Sequence, residues 1–178
     1  MNATLVAVTV REGTIDDVDA CVRLFARIVE EGRWMGAEPP LDHALRKERF
    51  LSALADERGA LLVATEGESI VGLLALSVAG YGVADFGMCV DAGWRRRGAG
   101  GALVEEAVAV ARRLGAHKVS LQVWPHNEPA LRLYRRHGFV EEGRLRHHYR
   151  RRNGELWDAV VMARLLDEDS PGPGPARG

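Results

Sequence analysis

Cysteine is scarce: Cys21 and Cys89 are the two in 178 residues. Two scattered thiols make neither a disulfide framework nor a metal-ligand pattern, and they fit a reducing compartment. Net charge is sparse too, at -1 for pH 7. A dedicated nucleic-acid binder carries a strongly basic domain, so that class is disfavoured. No apolar stretch approaches the ~20 residues that cross a bilayer. The run Leu5 to Val10 is too short for a signal h-region and ends at once in Arg11-Glu12. A soluble cytoplasmic protein is expected, with no metal and no nucleic-acid or membrane partner. Lysine is nearly missing, with only Lys47 and Lys118, so the basic residues are almost all arginine. The arginines cluster at Arg95-Arg96-Arg97 and again between Arg132 and Arg152. Their placement is more informative than their number.

What is present suits one globular domain. The chain is 47% hydrophobic and 28% charged, which excludes wholesale disorder, and it is long enough to bury a core without staples. Leu5 to Val10 is β-branched and reads as a strand. Thr14 can cap a helix in which Ile15, Val18, Val22, Phe25 and Val29 recur at three- and four-residue steps. Gly32 to Pro40 forms a loop, and Asp42 can cap a second helix reaching roughly Leu54. Leu61 to Ala64 and Ile70 to Val78 flank a hairpin signal at Glu66 to Ser69, and Ala84 to Val90 is a third strand of this group. A helix follows, with Leu103, Ala107, Val110 and Leu114 on one face and Gly115 as its stop. Val119 to Trp124 is a strand. Asn127 caps a helix that Gly138 ends. Phe139 to Tyr149 and Leu156 to Leu165 are strands around Asn153-Gly154, a strong hairpin signal. The order β-α-α-β-β-β-α-β-α-β-β predicts an α/β sheet with helices on its faces. The domain is expected to span residues 1–166. Residues 167–178, which contain Pro-Gly-Pro-Gly-Pro, are expected to form a disordered tail.

The stretch from Val90 to Leu103 carries chemistry. A strand ends, a turn of glycine and arginine follows, and a helix begins. The helix N-terminus offers free N–H groups and positive dipole potential. Gly98, Gly100 and Gly101 allow a ligand to approach the backbone, and arginines stand beside it. The expected ligand is a phosphate or pyrophosphate. A Walker loop needs Lys followed by Ser or Thr, and the dinucleotide fingerprint needs a third glycine where Leu103 stands. Both are disfavoured.

The loop Arg95-x-x-Gly98-x-Gly100 resembles the acetyl-CoA-binding loop of the GCN5-related N-acetyltransferase (GNAT) superfamily. Asn127-Glu128-Pro129-Ala130-Leu131-Arg132-Leu133-Tyr134, then Gly138-Phe139, is similar to that family's second signature. The resemblance covers about Val8 to Leu166. It implies a single-domain, mixed, twisted sheet with about two helices on each side. A V-shaped splay would open between the strands ending near Val90 and Trp124. Backbone groups of Met88, Cys89 and Val90 would pair with the pantetheine arm, and those of Arg95, Arg96, Arg97, Gly98, Ala99, Gly100 and Gly101 would hold the pyrophosphate. Asn127 would bond the cofactor, Tyr134 would lie near the thioester sulfur, and Arg136 would reach the 3′-phosphate. The loop carrying Glu31, Trp34 and Glu38 would shape the acceptor pocket.

The implied activity is acetylation of a primary amine on a small molecule, by direct attack in a ternary complex. Free lysine-like amines have pKa of about 10.4 and α-amines about 7.7–8.0, so most acceptors need a base or a water relay. Glu31, Glu38 and Asp85 are candidates for it, and the residues do not select one. The Val90 N–H is the implied oxyanion donor and Tyr134 the implied acid. Cys89 keeps an acyl-enzyme route formally open. Two other readings stand beside this one: an acetyltransferase for protein N-termini, and a CoA-binding sensor without catalysis. A homodimer is common in such families. The run from Arg144 to Arg152 is either a solvated hairpin or an anion site. His126, His147 and His148 lack metal spacing.

Overall fold

A computed structural model describes residues 8–166. Leu5 to Ala7 and the tail from residue 167 lie outside the described residues. The elements are β1 (Thr9–Glu12), α1 (Val18–Glu30), α2 (His43–Ala55), β2 (Gly59–Glu66), β3 (Ser69–Val78) and β4 (Val83–Val90), followed by α3 (Ala99–Arg113), β5 (Lys118–Val123), α4 (Glu128–Arg136), β6 (Val140–Arg150) and β7 (Leu156–Leu165). The order matches the sequence expectation. Two details differ. The first strand sits later, at Thr9–Glu12, where it pairs with β2 from Thr9↔Thr65 to Glu12↔Leu62. Ile15 is not on the buried helical face but 70% exposed, because a 3-10 turn at Ile15–Asp17 precedes α1 and breaks the 3.6-residue phase. There the Thr14 hydroxyl and N–H both donate to the Asp17 carboxylate.

The strands form one seven-stranded sheet in the order β1-β2-β3-β4-β5-β7-β6. Strand side chains alternate between its faces. Leu61, Val63, Leu73 and Cys89 pack on one face with Phe25 and Ile28 of α1 and Phe50 of α2. Leu62, Leu74, Leu76 and Phe86 pack on the other with Leu103, Val104 and Ala107 of α3 and Leu131 and Tyr134 of α4. Each fully buried Leu or Phe contributes roughly 1.5–3 kcal/mol, so the two cores fix both helix pairs. Side-chain caps set two helix starts: Asp42 accepts from the Leu45 N–H at 2.9 Å, and Asn127 from the Ala130 N–H at 3.3 Å.

The sheet's irregularity positions the site. β4 and β5 are parallel, and their pairing is limited to Val83↔Lys118, Ala84↔Val119 and Asp85↔Ser120. Beyond Asp85, β4 continues to Val90 and β5 to Val123 without pairing to each other. This is the expected splay. On its outer side β5 stays paired to β7 as far as Val123↔Val160, so the gap is confined to the centre of the sheet.

Candidate active site

The β3–β4 ladder decides which backbone groups face the gap. Val90 lies opposite Gly72, Cys89 opposite Leu73 and Met88 opposite Leu74. The Asp91 N–H donates to the Val71 carbonyl at 2.9 Å. In an antiparallel ladder this bond makes Val90–Gly72 a pair whose own N–H and C=O groups point away from β3. Alternation then turns Met88 toward the gap and Cys89 toward Leu73. Met88 and Val90 therefore present open strand edge, while Cys89 does not. Its backbone is consumed by β3 and its side chain is buried against α1. Burial pushes its thiol up to about 12, so thiolate chemistry at Cys89 is disfavoured. The Val90 carbonyl accepts from Arg95 Nε at 3.0 Å, which leaves its N–H free.

The glycine-arginine turn continues this edge. Gly98 has φ +93°, a left-handed conformation that glycine adopts without strain. The first intrahelical bond of α3 runs from the Ala102 N–H to the Gly98 carbonyl. The preceding N–H groups thus have no acceptor within the helix, and Gly98 has no side chain with which to cap them. A Cβ on Gly100 would lie 3.2 Å from Leu133 Cδ2 and 3.6 Å from Met88 Cε, so glycine leaves room at this wall of the cleft that a side chain would take up. A cleft of about 570 Å³ opens here. Met88, Cys89, Val90, Arg95, Arg96, Gly98, Gly100, Gly101, Asn127, Tyr134 and Arg136 line it, as does Trp34. Arg132 and His137 add polar wall, while Ile28, Met35 and Leu133 add apolar wall.

Three residues of the loop expected to bind through its backbone offer no free side-chain charge to the cleft. Ala99 is fully buried under the loop. Arg97 turns its guanidinium to the Trp94 ring, at 5.1 Å, and does not line the cleft. Arg95 reaches the cleft but is not a free charge for an anion: its guanidinium forks onto Glu31, with Nη2 2.5 Å from Oε1 and Nη1 2.8 Å from Oε2. It ties the end of α1 to the end of β4. Of the other arginines of the cleft, Arg132 has a long 3.5 Å contact to Glu128, and Arg96 and Arg136 have no ion-pair partner among the described residues.

Tyr134 sits on α4 with its ring 6.0 Å from Phe86 and 5.8 Å from Phe139. It is buried yet borders the cleft, and its hydroxyl has no hydrogen-bond partner among the described residues. Burial raises its pKa, so the phenol stays protonated. That suits a proton donor and excludes a neutral-pH base. Asn127 lines the cleft while its carbonyl caps α4, which leaves its NH₂ available.

The acceptor end differs more from expectation. Glu31 and Glu38 do not line the cleft; both are structural. Glu31 binds Arg95 and accepts from Trp34 Nε1 at 2.7 Å, and the Arg95 fork lowers its pKa. Glu38 accepts from the Arg152 N–H at 3.1 Å and lies 3.6 Å from Arg151 Nε. Arg151 is the residue that sequence reasoning missed. It is 5% exposed, donates to the carbonyls of Gly36 at 3.0 Å and Met35 at 3.4 Å, and stacks 4.4 Å from the Trp157 ring. Trp124 meets Tyr149 and Trp157 edge-on in the same cluster. The loop between α1 and α2 is thereby pinned to the β6–β7 hairpin. The Arg144–Arg152 run is largely spent on such bonds, since Arg144 binds Asp158 at 2.8 Å and Arg152 binds the Pro39 carbonyl. Asp85, which like Glu31 and Glu38 does not line the cleft, is the one candidate base without a cationic partner among the described residues. Its residue surface is exposed, yet desolvation where the splay begins raises its carboxyl.

No group of three or more metal-ligating side chains occurs among the described residues, and no described helix is long and apolar enough to cross a membrane. The profile of the acetyltransferase (GNAT) family matches residues 24–139. The L-amino acid N-acetyltransferase AaaT of Escherichia coli K12 is 34% identical over 164 residues, covering 89% of this chain and 98% of that protein. Among solved structures, a phosphinothricin acetyltransferase of Sinorhizobium meliloti in complex with AcCoA superposes with TM-score 0.81 at 20% identity, over 95% of this chain and 94% of its own. A ribosomal-protein-alanine N-acetyltransferase of Brucella melitensis also gives 0.81, at 22% identity over 89% and 99%.

Proposed function

Because the chain belongs to the acetyltransferase (GNAT) family and is an N-acetyltransferase, we propose that it uses acetyl-CoA to acetylate the amine of a small acceptor of the amino-acid type, by direct attack in a ternary complex. The observation that carries this reading is the continuous track from the open edge of Met88 and Val90 to the uncapped N-terminus of α3. An extended amide chain fits an open strand edge, and a pyrophosphate fits free helix N–H groups. Arg96, Arg132 and Arg136 supply further positive charge along the cleft. The whole of residues 1–166 serves as one catalytic domain in this reading.

The acceptor amine enters from the Trp34 side and must be neutral to attack. Asp85 is the base in this reading, directly or through water. The Val90 N–H donates to the tetrahedral oxyanion. Tyr134 gives its proton to the departing thiolate, and a general acid of this kind contributes roughly 10²–10⁴-fold. Two observations favour a small acceptor over a protein N-terminus. The AaaT relative is named for L-amino acids. The Arg151 clamp also holds the loop carrying Trp34 and Met35 against the β6–β7 hairpin, which suits a small acceptor better than the open groove a peptide needs. Calorimetric titration with acetyl-CoA, followed by mass-spectrometric detection of products from amino acids, plain amines and short peptides, tests the reading. Absence of acetyl-CoA binding refutes it. Acetylation of peptides alone refutes the small acceptor.

A further inference from the structure

The splay has a second surface, on the face of the sheet that α1 and α2 cover only in part. These helices pack on side chains of β2, β3 and β4, and their core takes none from β5, β6 or β7 among the described residues. Pairing register shows which side chains share the open half. Cys89 packs against α1, so by alternation Gly87 and Asp85 point to the same face. Asp85 lies opposite Ser120, in the last pair before β4 and β5 separate. Gln122 is two residues further along β5 on that face, opposite Val161 of β7. Trp157 shares that face of β7 and lies opposite Tyr149 of β6. The Tyr149 hydroxyl reaches across β7 and donates to Gln122 Oε1 at 2.6 Å. Asp85, Gln122 and Tyr149 therefore border one patch where the two strands part. A Cβ on Gly87 would meet nothing within 4 Å, so the space beside Asp85 is open.

Two sets of contacts join this patch to the cleft. Phe86, between Asp85 and Gly87 in β4, has its ring 6.0 Å from that of Tyr134, which borders the cleft. Met35 also lines the cleft, and its carbonyl accepts from Arg151, whose guanidinium lies over Trp157. Trp124 then links Trp157 to Tyr149, at ring separations of 5.3 Å and 4.9 Å. β6 breaks its regular pairing to aim Tyr149. Its register shifts between Leu145 and Tyr149, and His147 inside that bulge has φ +51°. The Asp158 carboxylate holds the bulge, accepting from the His147 N–H at 2.7 Å and from Arg144 Nε at 2.8 Å. Bulges beside active sites re-aim side chains in this way, and a left-handed non-glycine residue persists only where its surroundings fix it. Burial, and then the Asp85 charge, raise the Tyr149 pKa. The phenol stays protonated, its proton goes to Gln122, and its oxygen remains an acceptor.

We propose that the acceptor amine binds on this patch, donating N–H bonds to both the Asp85 carboxylate and the Tyr149 oxygen, with Gln122 as the residue that positions Tyr149. This rests on the acetyl-transfer reading above. An arriving ammonium passes one proton to Asp85: that N–H bond breaks, an O–H bond forms on the carboxylate, and the nitrogen keeps the electron pair that attacks the thioester carbonyl. A second N–H stays on Tyr149 and fixes the direction of that pair. The test takes the acceptor with the highest kcat/KM among amino acids, plain amines and short peptides, and compares wild type, Y149F, Q122M, Q122E and Y149F/Q122M. Y149F is expected to lower kcat/KM for that acceptor by ~10–100-fold. Its acetyl-CoA affinity and thermal midpoint should stay near wild type. Q122M is expected to lower kcat/KM alone and to add nothing to Y149F. Q122E, which keeps an oxygen that accepts from the phenol, is expected to recover part of the Q122M loss. A Y149F within about threefold of wild type overturns the inference and leaves acetyl transfer intact. So does a Y149F that loses acetyl-CoA affinity or stability in step with rate, because that marks a packing role beside Trp124. Additive losses in Y149F/Q122M overturn the positioning role of Gln122. A wild type that acetylates no amine refutes the acetyl-transfer reading itself, and this inference with it.

Discussion

Replacing Tyr134 with phenylalanine isolates one hydroxyl. The ring is held edge-on to Phe86 and tilted against Phe139, contacts that phenylalanine reproduces. The hydroxyl has no partner among the described residues, so its removal orphans no other group. Unfolding free energy should change by less than ~1 kcal/mol, because the larger costs come from leaving a buried partner unsatisfied. Acetyl-CoA affinity should stay within about threefold, since the Met88 and Val90 edge and the α3 N-terminus are untouched. Turnover should fall by ~10²–10⁴-fold if the phenol protonates the leaving thiolate. Burial keeps the phenol protonated, so the wild-type rate should show no alkaline loss assignable to Tyr134 at pH 9. Thermal unfolding, calorimetry and a thiol-release assay read the three quantities. A kcat within threefold of wild type refutes the catalytic role. A collapse of acetyl-CoA affinity with intact stability reassigns Tyr134 to binding.

Gly100→Ala should leave stability within ~1 kcal/mol, because the gain in helix propensity offsets the 3.2 Å approach to Leu133. It should weaken acetyl-CoA binding by ~10-fold in calorimetry, since the new Cβ fills the floor of the cleft. Arg151→Met should cost about 3 kcal/mol in urea unfolding, as expected for breaking a buried charged cluster. It should also speed hydrogen exchange at residues 33–38, and unchanged exchange there contradicts the clamp. Glu31 has its pKa lowered by Arg95, so its stabilisation is present above the unfolded value near 4.3 and is lost as pH falls through the folded one. Wild type should exceed Glu31→Gln in urea midpoint at pH 7, and the gap should narrow between about pH 5 and pH 3.

The elements legible in the chain are those whose signals are local. The stripe Val18, Val22, Phe25 and Val29 buries as one face. Asn153-Gly154 makes its turn, with Gly154 at φ +89°. Ile15 failed as a helical residue because periodicity cannot register a 3-10 start. The splay is also invisible to local pattern: β4 and β5 each read as ordinary strands, and only their mutual register ends after Asp85. Its expectation came from family resemblance. The phase of the β3–β4 ladder is likewise a pairing property, and it turns the Cys89 backbone toward β3 while leaving the Met88 and Val90 edge open.

Arginine shows the limit of reading charge from sequence. Arg95, Arg96 and Arg97 look equivalent in the chain, and each does something different. Arg97 covers Trp94, Arg95 joins Glu31 to the Val90 carbonyl, and Arg96 alone of the three faces the cleft untethered. Arg151 sits inside a basic run that reads as solvated surface, yet it is almost fully buried, because two tryptophans and the carbonyls of a distant loop converge there. The Met35 and Gly36 carbonyls lie more than a hundred residues away, beyond any local window. An anion at the α3 N-terminus would therefore be met first by fixed backbone N–H groups, while Arg95 and Arg97 beside it are committed to the fold. Preorganised donors lose no side-chain entropy when the ligand arrives, which favours this division of labour.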